Sequence, residues 1–376
     1  MAGEPGAPDD HIETLIIGGG QAGIATGYQL SRLGRPFLIL DASARVGDAW
    51  RTRWDSLRLF TPAKYNGLDG MRFDAPSVSF PTKDEMADYL ETYVARFDLP
   101  VRTGVKVDTV SRNGHGYVVN AGEKRFTAAN VVIAAGAHQI PKAPPFAREL
   151  DPSIVQLHSF EYKGPAQLKD GPTLVVGLGN SGAEIAFEVV RTHPTLIAGK
   201  PSAEIPAKHG PRAARTLLPI IRFVGTHVLN LRTPIGRRFK PKFIKLAAPL
   251  IRVKLKDLAS AGVEQVARVV GVRNGKPLLE DGRVAEVANV IWCTGFRQDY
   301  RWIDLPAFDD EGMPIHDRGV VTSEAGLYFM GLLFQFAAVS DTLPGVSRDA
   351  KHVAKHIASR SPSDRAARAT REEGAR

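Results

Sequence analysis

Cysteine is almost missing from this sequence: Cys293 stands alone among 376 residues. No internal disulfide can form, and neither a Cys-x-x-Cys redox pair nor a cysteine-rich zinc site exists. Long apolar runs are missing too. No stretch reaches the roughly 18 apolar residues of a spanning helix, and Met1 to His11 lack the apolar core of a signal peptide. A cytoplasmic protein is the default expectation. Acidic residues are absent from one place in particular. Between Ile205 and Lys256 stand 13 Lys and Arg and no Asp or Glu. The chain carries +9 overall, so everything outside that segment sums to −4. The basicity is therefore local. Stacking aromatics are sparse in the basic run beyond Phe223, Phe239 and Phe243, and no nucleic-acid module is present, so nucleic acid is not an expected partner.

What is present describes a globular chain. The 43% hydrophobic and 24% charged residues exclude disorder of the whole. At roughly 150 residues per domain the length suggests two to three domains. Only the last stretch, Ser359 to Arg376, reads as a frayed tail.

Two glycine motifs organise the rest. Glu13 to Ile17 form an apolar run that leads into Gly18-Gly19-Gly20-Gln21-Ala22-Gly23. A helically periodic segment follows, then an apolar strand ending at Asp41-Ala42. This strand, turn, helix, strand and acid order suits a dinucleotide. Gly18 permits the tight turn, Gly20 lets backbone approach a pyrophosphate, and Gly23 lets the helix pack on the sheet. Asp41 can accept from ribose hydroxyls. The second unit runs from Thr173 to Val176 into Gly177-Leu178-Gly179-Asn180-Ser181-Gly182, a helix, and a strand ending at Gly199-Lys200. Asp41 and Lys200 lie the same number of residues past the last glycine of their motifs. An acid suits a bare ribose diol, whereas a cation suits a ribose 2′-phosphate. One unphosphorylated dinucleotide and NADPH are the expected pair, and together they point to a flavoprotein that accepts hydride. Lys200 also reads as an ordinary surface lysine.

The intervening segments resemble a known family. Gly47-Asp-Ala-Trp50-Arg51, the run Trp54 to Pro62, Phe80 to Lys83 with its following helix, and the pieces Val131 to Gly136 and Ile291 to Phe296 are similar to class B flavin-dependent monooxygenases. That family includes flavin-containing monooxygenases, plant YUCCA-type enzymes and bacterial CzcO-type flavoproteins. The resemblance runs from about Glu13 to Ile357. It implies that Trp50 and Arg51 lie along FAD, with Leu59 to Thr61 near the isoalloxazine and a strand Val105 to Val107 beside the adenine. It further implies that Ala135-Gly136 and Thr294-Gly295 link the domains, and that Gly331 contacts the flavin. Two features depart from the family pattern. Of its Phe-x-Gly-x-x-x-His motif only the tail is kept, as His158 with Tyr162, while Pro152 and Ile154 replace the Phe and Gly. No match exists to the asparagine that flavin-containing monooxygenases place near the reacting oxygen; Phe60 and Thr61 occupy its neighbourhood. Both departures bear on oxygen transfer more than on cofactor binding. Cys293 reads as a small apolar residue.

The expected fold is α/β, with two Rossmann-like domains. A discontinuous FAD domain spans 1–168 and 289–376, and an NADPH domain spans 169–288. The resemblance implies that NADPH reduces FAD and that oxygen adds at flavin C4a. The resulting peroxyflavin, shielded by NADP⁺, would oxygenate nitrogen, sulfur or a carbonyl carbon of a small organic substrate. No catalytic side chain is nominated. The alternatives are an NADPH-dependent flavin oxidase or quinone reductase, and a non-catalytic redox sensor at a membrane surface. Three readings of 205–256 stand open: a lid with cations near NADPH phosphates, a membrane-surface patch, or a solvated face with a homodimer contact. Within it, Thr233 to Gly236 and Lys240 to Lys242 read as proline turns.

Overall fold

The structure, a computed structural model, describes residues 10–114, 116–201 and 203–360. The readings of residues 1–9 as signal-free and of the residues past 360 as a frayed tail lie outside the described residues.

Two sheets carry the fold. Strand Asp10–Ile17 sits inside the first, with Phe37–Leu40 parallel on one side and Lys124–Ile133 parallel on the other. The sheet continues through Val101–Arg102 at one edge and through the antiparallel pair Gly116–Ala121 and Thr109–Asn113 to Ile303–Asp304 at the other, and Leu327–Phe329 also joins Lys124–Ile133. Side chains alternate across it. Ile16, Ile39, Val132 and Tyr328 fall in one apolar cluster, whereas Leu15, Ile17, Leu38, Leu40, Val131 and Ile133 fall in another. The first face is covered by the glycine-motif helix Gln21–Arg32, by Lys83–Arg96 and by Leu343–Ser359. Helix Lys83–Arg96 starts sharply because Thr82 Oγ1 accepts from Glu85 N at 3.2 Å while Glu85 Oε2 accepts from Thr82 N at 2.7 Å.

The second sheet is wholly parallel, in the order Glu264–Val266, Thr195–Ala198, Thr173–Val176, Asn289–Trp292, Val155–His158. Thr173–Val176 and Asn289–Trp292 are buried throughout, as parallel strands covered on both faces require. The expected two-sheet α/β architecture is thus present, but sheet membership moves the boundaries expected at 168 and 289. Val155–His158 and Asn289–Trp292 belong to the second sheet. The chain crosses between sheets near 134–142 and 293–300, where Ile140–Pro141 pairs antiparallel with Phe296–Arg297. An apolar strand with no glycine signature gives no sign of which sheet it joins.

Local readings move as well. Val105 to Val107 is irregular backbone, held beside the first sheet by Val105 N donating to Asp41 O at 2.8 Å. The two proline segments of the basic run both lie in one helix, Pro234–Phe243. Pro234 occupies its first turn, where no N–H is needed, and Thr233 Oγ1 caps Gly236 N at 3.0 Å. No helix among the described residues is long and apolar enough to cross a membrane.

The helix after the second glycine motif, Asn180–Val189, buries Glu184. Arg252 Nη2 donates to its Oε2 at 2.5 Å, while Oε1 lies buried without a partner. Burial pushes this carboxyl up from 4.5 to about 7 against the pull of Arg252. The folded state then holds the proton more tightly than the unfolded chain. Stability from this group is full below about pH 4.5 and is lost as pH rises to about 7. In denaturant titrations the unfolding free energy of the native protein should therefore fall across that window relative to Glu184→Gln, by on the order of 3 kcal/mol. Parallel pH profiles for the two proteins would refute the assignment.

Candidate functional site

Both glycine turns are built alike. Gly18 has φ +113° and Gly177 φ +111°, in the region that favours glycine. A Cβ on Gly18 would lie 2.3 Å from the carbonyl oxygen of Ala134, and one on Gly177 would lie 2.3 Å from that of Cys293. Each turn is thereby pressed against one of the two interdomain crossings. The third glycines seat the helices: a Cβ on Gly23 would lie 1.9 Å from Gly18 O, and one on Gly182 would lie 1.8 Å from Gly177 O. The middle glycines differ. Gly20 and Gly179 have extended backbone, and a Cβ on either meets nothing within 4 Å. Neither helix has a side-chain cap, so the first N–H groups face open space beside a glycine with no side chain. Free N–H groups at an open helix start have the geometry that cradles a pyrophosphate, and this arrangement occurs twice.

Further segments converge on the first cradle. Asp41 Oδ2 accepts from Gly19 N at 2.5 Å, and its Oδ1 accepts from Ser43 N at 2.7 Å. These bonds hold the carboxylate at the strand end with Ala42 exposed beside it. Gly331, with φ +80°, packs so closely on Ala22 that an added Cβ would lie 3.2 Å from that side chain. Gln21 Nε2 donates to Asp341 O at 3.3 Å, tying the 331–341 segment to the same turn. Burial raises the Asp341 carboxyl to about 6. Ala135 and Gly136 extend from the turn's contact point along the first crossing.

At the second cradle Gly199 has φ +134°, its position tight against Leu178, and Lys200 is exposed at the strand end. Ser181 lies in the first helical turn. Asn180 is used otherwise. Its Nδ2 donates to Pro249 O at 2.9 Å and its Oδ1 accepts from Ile251 N at 2.9 Å. The amide therefore fastens the end of the basic segment to the cradle helix. Cys293 lies beneath this turn, and burial pushes its thiol up to about 12, as suits a packing residue.

His158 explains the half-kept motif. Its Nδ1 accepts from Phe160 N at 3.1 Å, so the Nε2 proton is the one donated to Gly295 O at 3.0 Å. Burial lowers its pKa and keeps it neutral. Gly295 O also accepts from Lys142 N at 3.0 Å, and Thr294 Oγ1 donates to Lys142 O. His158 thus clamps the paired crossings. Tyr162, fully buried, donates to Glu188 Oε2 at 2.9 Å and braces the cradle helix.

Some expected cofactor residues are engaged elsewhere. Arg51 donates to Val46 O at 2.6 Å, to Asp88 at 2.7 Å and to Glu91 at 3.0 Å, so its guanidinium belongs to helix Lys83–Arg96. Gly47 serves that same helix, since a Cβ there would lie 2.7 Å from Ala87 O. Trp50 packs against the first core, and Leu59 is buried in it. Thr61 Oγ1 bonds to Asn66 Oδ1, and Asn66 Nδ2 returns a bond to Thr61 O at 3.1 Å. Asn66, fully buried, was not singled out by any motif. Val107 lies in the irregular stretch past the first strand edge.

The basic segment closes over the junction. Leu231 N donates to Phe336 O and Ala338 N donates to Leu229 O, both at 2.9 Å. Phe243 packs on Phe334 with ring centroids 5.2 Å apart, and Arg222 lies 4.8 Å over Tyr65. His209, kept neutral by burial, bonds to Phe60 O at 2.9 Å. The segment leaves the second sheet, pins itself to 60–65 and 334–338 of the first unit, and returns to Glu184 through Arg252.

Two congruent cradles joined by a double crossing define a flavoprotein oxidoreductase of two dinucleotide-binding domains. A profile of the pyridine nucleotide-disulphide oxidoreductases matches residues 15–222. An uncharacterized CzcO-like oxidoreductase of Geobacillus kaustophilus is 35% identical over 92% of this chain and 98% of its own. The probable indole-3-pyruvate monooxygenase YUCCA3 of Arabidopsis thaliana is 28% identical over 92% of this chain and 86% of its own. Among solved structures, a flavin-containing monooxygenase from Stenotrophomonas maltophilia superposes with a TM-score of 0.69 at 27% identity, covering 93% of this chain and 98% of that one. The chain belongs to the pyridine nucleotide-disulphide oxidoreductases and, within them, to the class B flavin monooxygenase family. With one cysteine in the sequence it has no internal dithiol to relay electrons.

The cradle geometry separates binding from folding. Gly20→Ala should leave the thermal unfolding of the flavin-free protein unchanged, because its Cβ meets no protein atom within 4 Å, while the purified protein loses most of its bound flavin. Gly23→Ala should lower the melting temperature outright, because its Cβ would lie 1.9 Å from Gly18 O. Full flavin content in Gly20→Ala would overturn the cradle assignment.

Proposed function

We propose that the protein is an NADPH-consuming, FAD-dependent monooxygenase acting on a small organic substrate. The observation that carries this reading is the pair of like-built cradles with opposite charges at their strand ends, Asp41 in one and Lys200 in the other. FAD would lie on Gly18 to Gly23 with its ribose at Asp41, its flanks formed by Ala135-Gly136 and Gly331. NADPH would lie on Gly177 to Gly182, with Lys200 at its 2′-phosphate and Gly199 letting its backbone approach. When bound, the flavin supplies hydride acceptance from the nicotinamide and activation of oxygen at C4a.

The chain's own residues orient and shield. Phe334 to Ala338 and Tyr65 lie under the basic segment, which would exclude water from the face where the nicotinamide meets the flavin. His209 donates to the main chain of Phe60 and so steadies the segment expected beside the ring. No side chain is assigned as an acid or base. His158 and Tyr162 are positioning residues of the crossings and of the helix Asn180–Val189.

Stopped-flow reoxidation of the reduced protein tests oxygen transfer. A transient absorbance distinct from oxidised flavin, and prolonged by NADP⁺, is expected; immediate return to oxidised flavin with stoichiometric peroxide would point to an oxidase instead. Lys200→Ala should raise the KM for NADPH by about tenfold, on the scale of a lost charged hydrogen bond, and leave that for NADH nearly unchanged. Equal effects on both would remove Lys200 from the phosphate site.

A further inference from the structure

The inner face of the 205–256 segment is spent on the first unit, but its outer face is uncovered. Of the twelve exposed large apolar side chains among the described residues, six lie within it: Ile220 (60%), Ile221 (38%), Phe223 (58%), Ile235 (61%), Ile244 (45%) and Leu246 (48%). Half of the exposed apolar bulk thus sits on a stretch of 27 residues, from 220 to 246, a concentration that marks a contact surface.

Residues 220–223, at the end of Leu217–Phe223, are all exposed, with Arg222 also lying 4.8 Å over Tyr65. In Pro234–Phe243, Phe243 turns inward to Phe334 while Ile235, Arg238 and Lys242 are exposed at spacings of three and four, along one stripe. Arg215, Arg237 and Lys245 are exposed around these. Among the described residues none of Arg215, Arg237, Arg238, Lys242 and Lys245 lies within ion-pair reach of a carboxylate.

We propose that this outer face docks the protein on an anionic lipid bilayer, with the aliphatic side chains entering the headgroup boundary and the Lys and Arg meeting lipid phosphates. Charge decides among occupants. A second copy related by a twofold axis would bring the same acid-free +13 segment against itself. A nucleic acid would meet the cations but leave five exposed aliphatic side chains in water with no base to stack on. An interfacial amphipathic surface uses both properties at once. The inference is independent of the monooxygenase reading, because it rests on exposed side chains to which that reading gives no role.

The test is flotation of the flavin-loaded protein with vesicles of phosphatidylcholine containing phosphatidylglycerol, and with vesicles of phosphatidylcholine alone. Flotation with the anionic vesicles, weakened by salt, is expected, with little or none on the neutral ones. Two double variants, Ile220→Ser with Phe223→Ser and Arg238→Glu with Lys242→Glu, should each bind at least about tenfold more weakly. Their flavin spectra and melting temperatures should be unchanged, since these side chains are exposed. Equal partition onto both vesicle types, or undiminished binding by the charge-reversed variant, overturns the proposal. So does a protein that ignores vesicles but runs as a dimer broken by the serine variant, which would make this face a self-interface. Retention on duplex DNA with no vesicle binding overturns it in favour of a nucleic acid.

Discussion

The close approach of a left-handed glycine to a crossing carbonyl governs this molecule. Gly18 presses on Ala134 and Gly177 on Cys293, each at a distance that leaves no room for a Cβ. That contact does two things. It shapes the turn so that the next helix presents its free N–H groups outward, and it locates the crossing beside the place where a pyrophosphate would rest. Glycine turn and interdomain crossing are therefore one structure at each site. Everything else near the junction, from the His158 clamp on Gly295 to the Gln21 contact with Asp341, elaborates that arrangement.

The basic segment is secured by the same logic at longer range. Asn180 and Glu184, both on the second cradle helix, hold its end through Ile251 and Arg252. Its middle forms main-chain bonds with Phe336 and Ala338 of the other unit. The helix after the second glycine turn is thus joined through this segment to Phe336 and Ala338 of the first unit. One segment contacts the first unit on one side and presents a charged, greasy outer side.

The legible part of this fold is the part encoded locally. Strand, glycine turn and helix are contiguous in sequence, so both turns form at their glycines and Asp41 stands at its strand end. The illegible part depends on partners far along the chain. Arg51 has the right neighbours for a cofactor ligand, yet its acids, Asp88 and Glu91, arrive on a helix that folds back over it. Asn180 sits at a motif position, but its amide goes to a loop whose path nothing local announces. Val155–His158 joins the second sheet because Asn289–Trp292 lies there to receive it, a pairing across more than a hundred residues. The proline segments are ambiguous for a local reason: Pro234 suits a first helical turn as well as it suits a loop.

The pairing of Ile140–Pro141 with Phe296–Arg297 places the exit from the first unit beside the return to it. The second unit is therefore a closed loop of chain with adjacent ends, entered and left through one two-stranded ribbon and held again at 60–65 and 334–338 by the basic segment. Such a topology makes it a cassette. In evolution or in the laboratory, exchange for the corresponding piece of a relative needs two cuts that lie side by side, provided that the incoming basic segment fits 60–65 and 334–338.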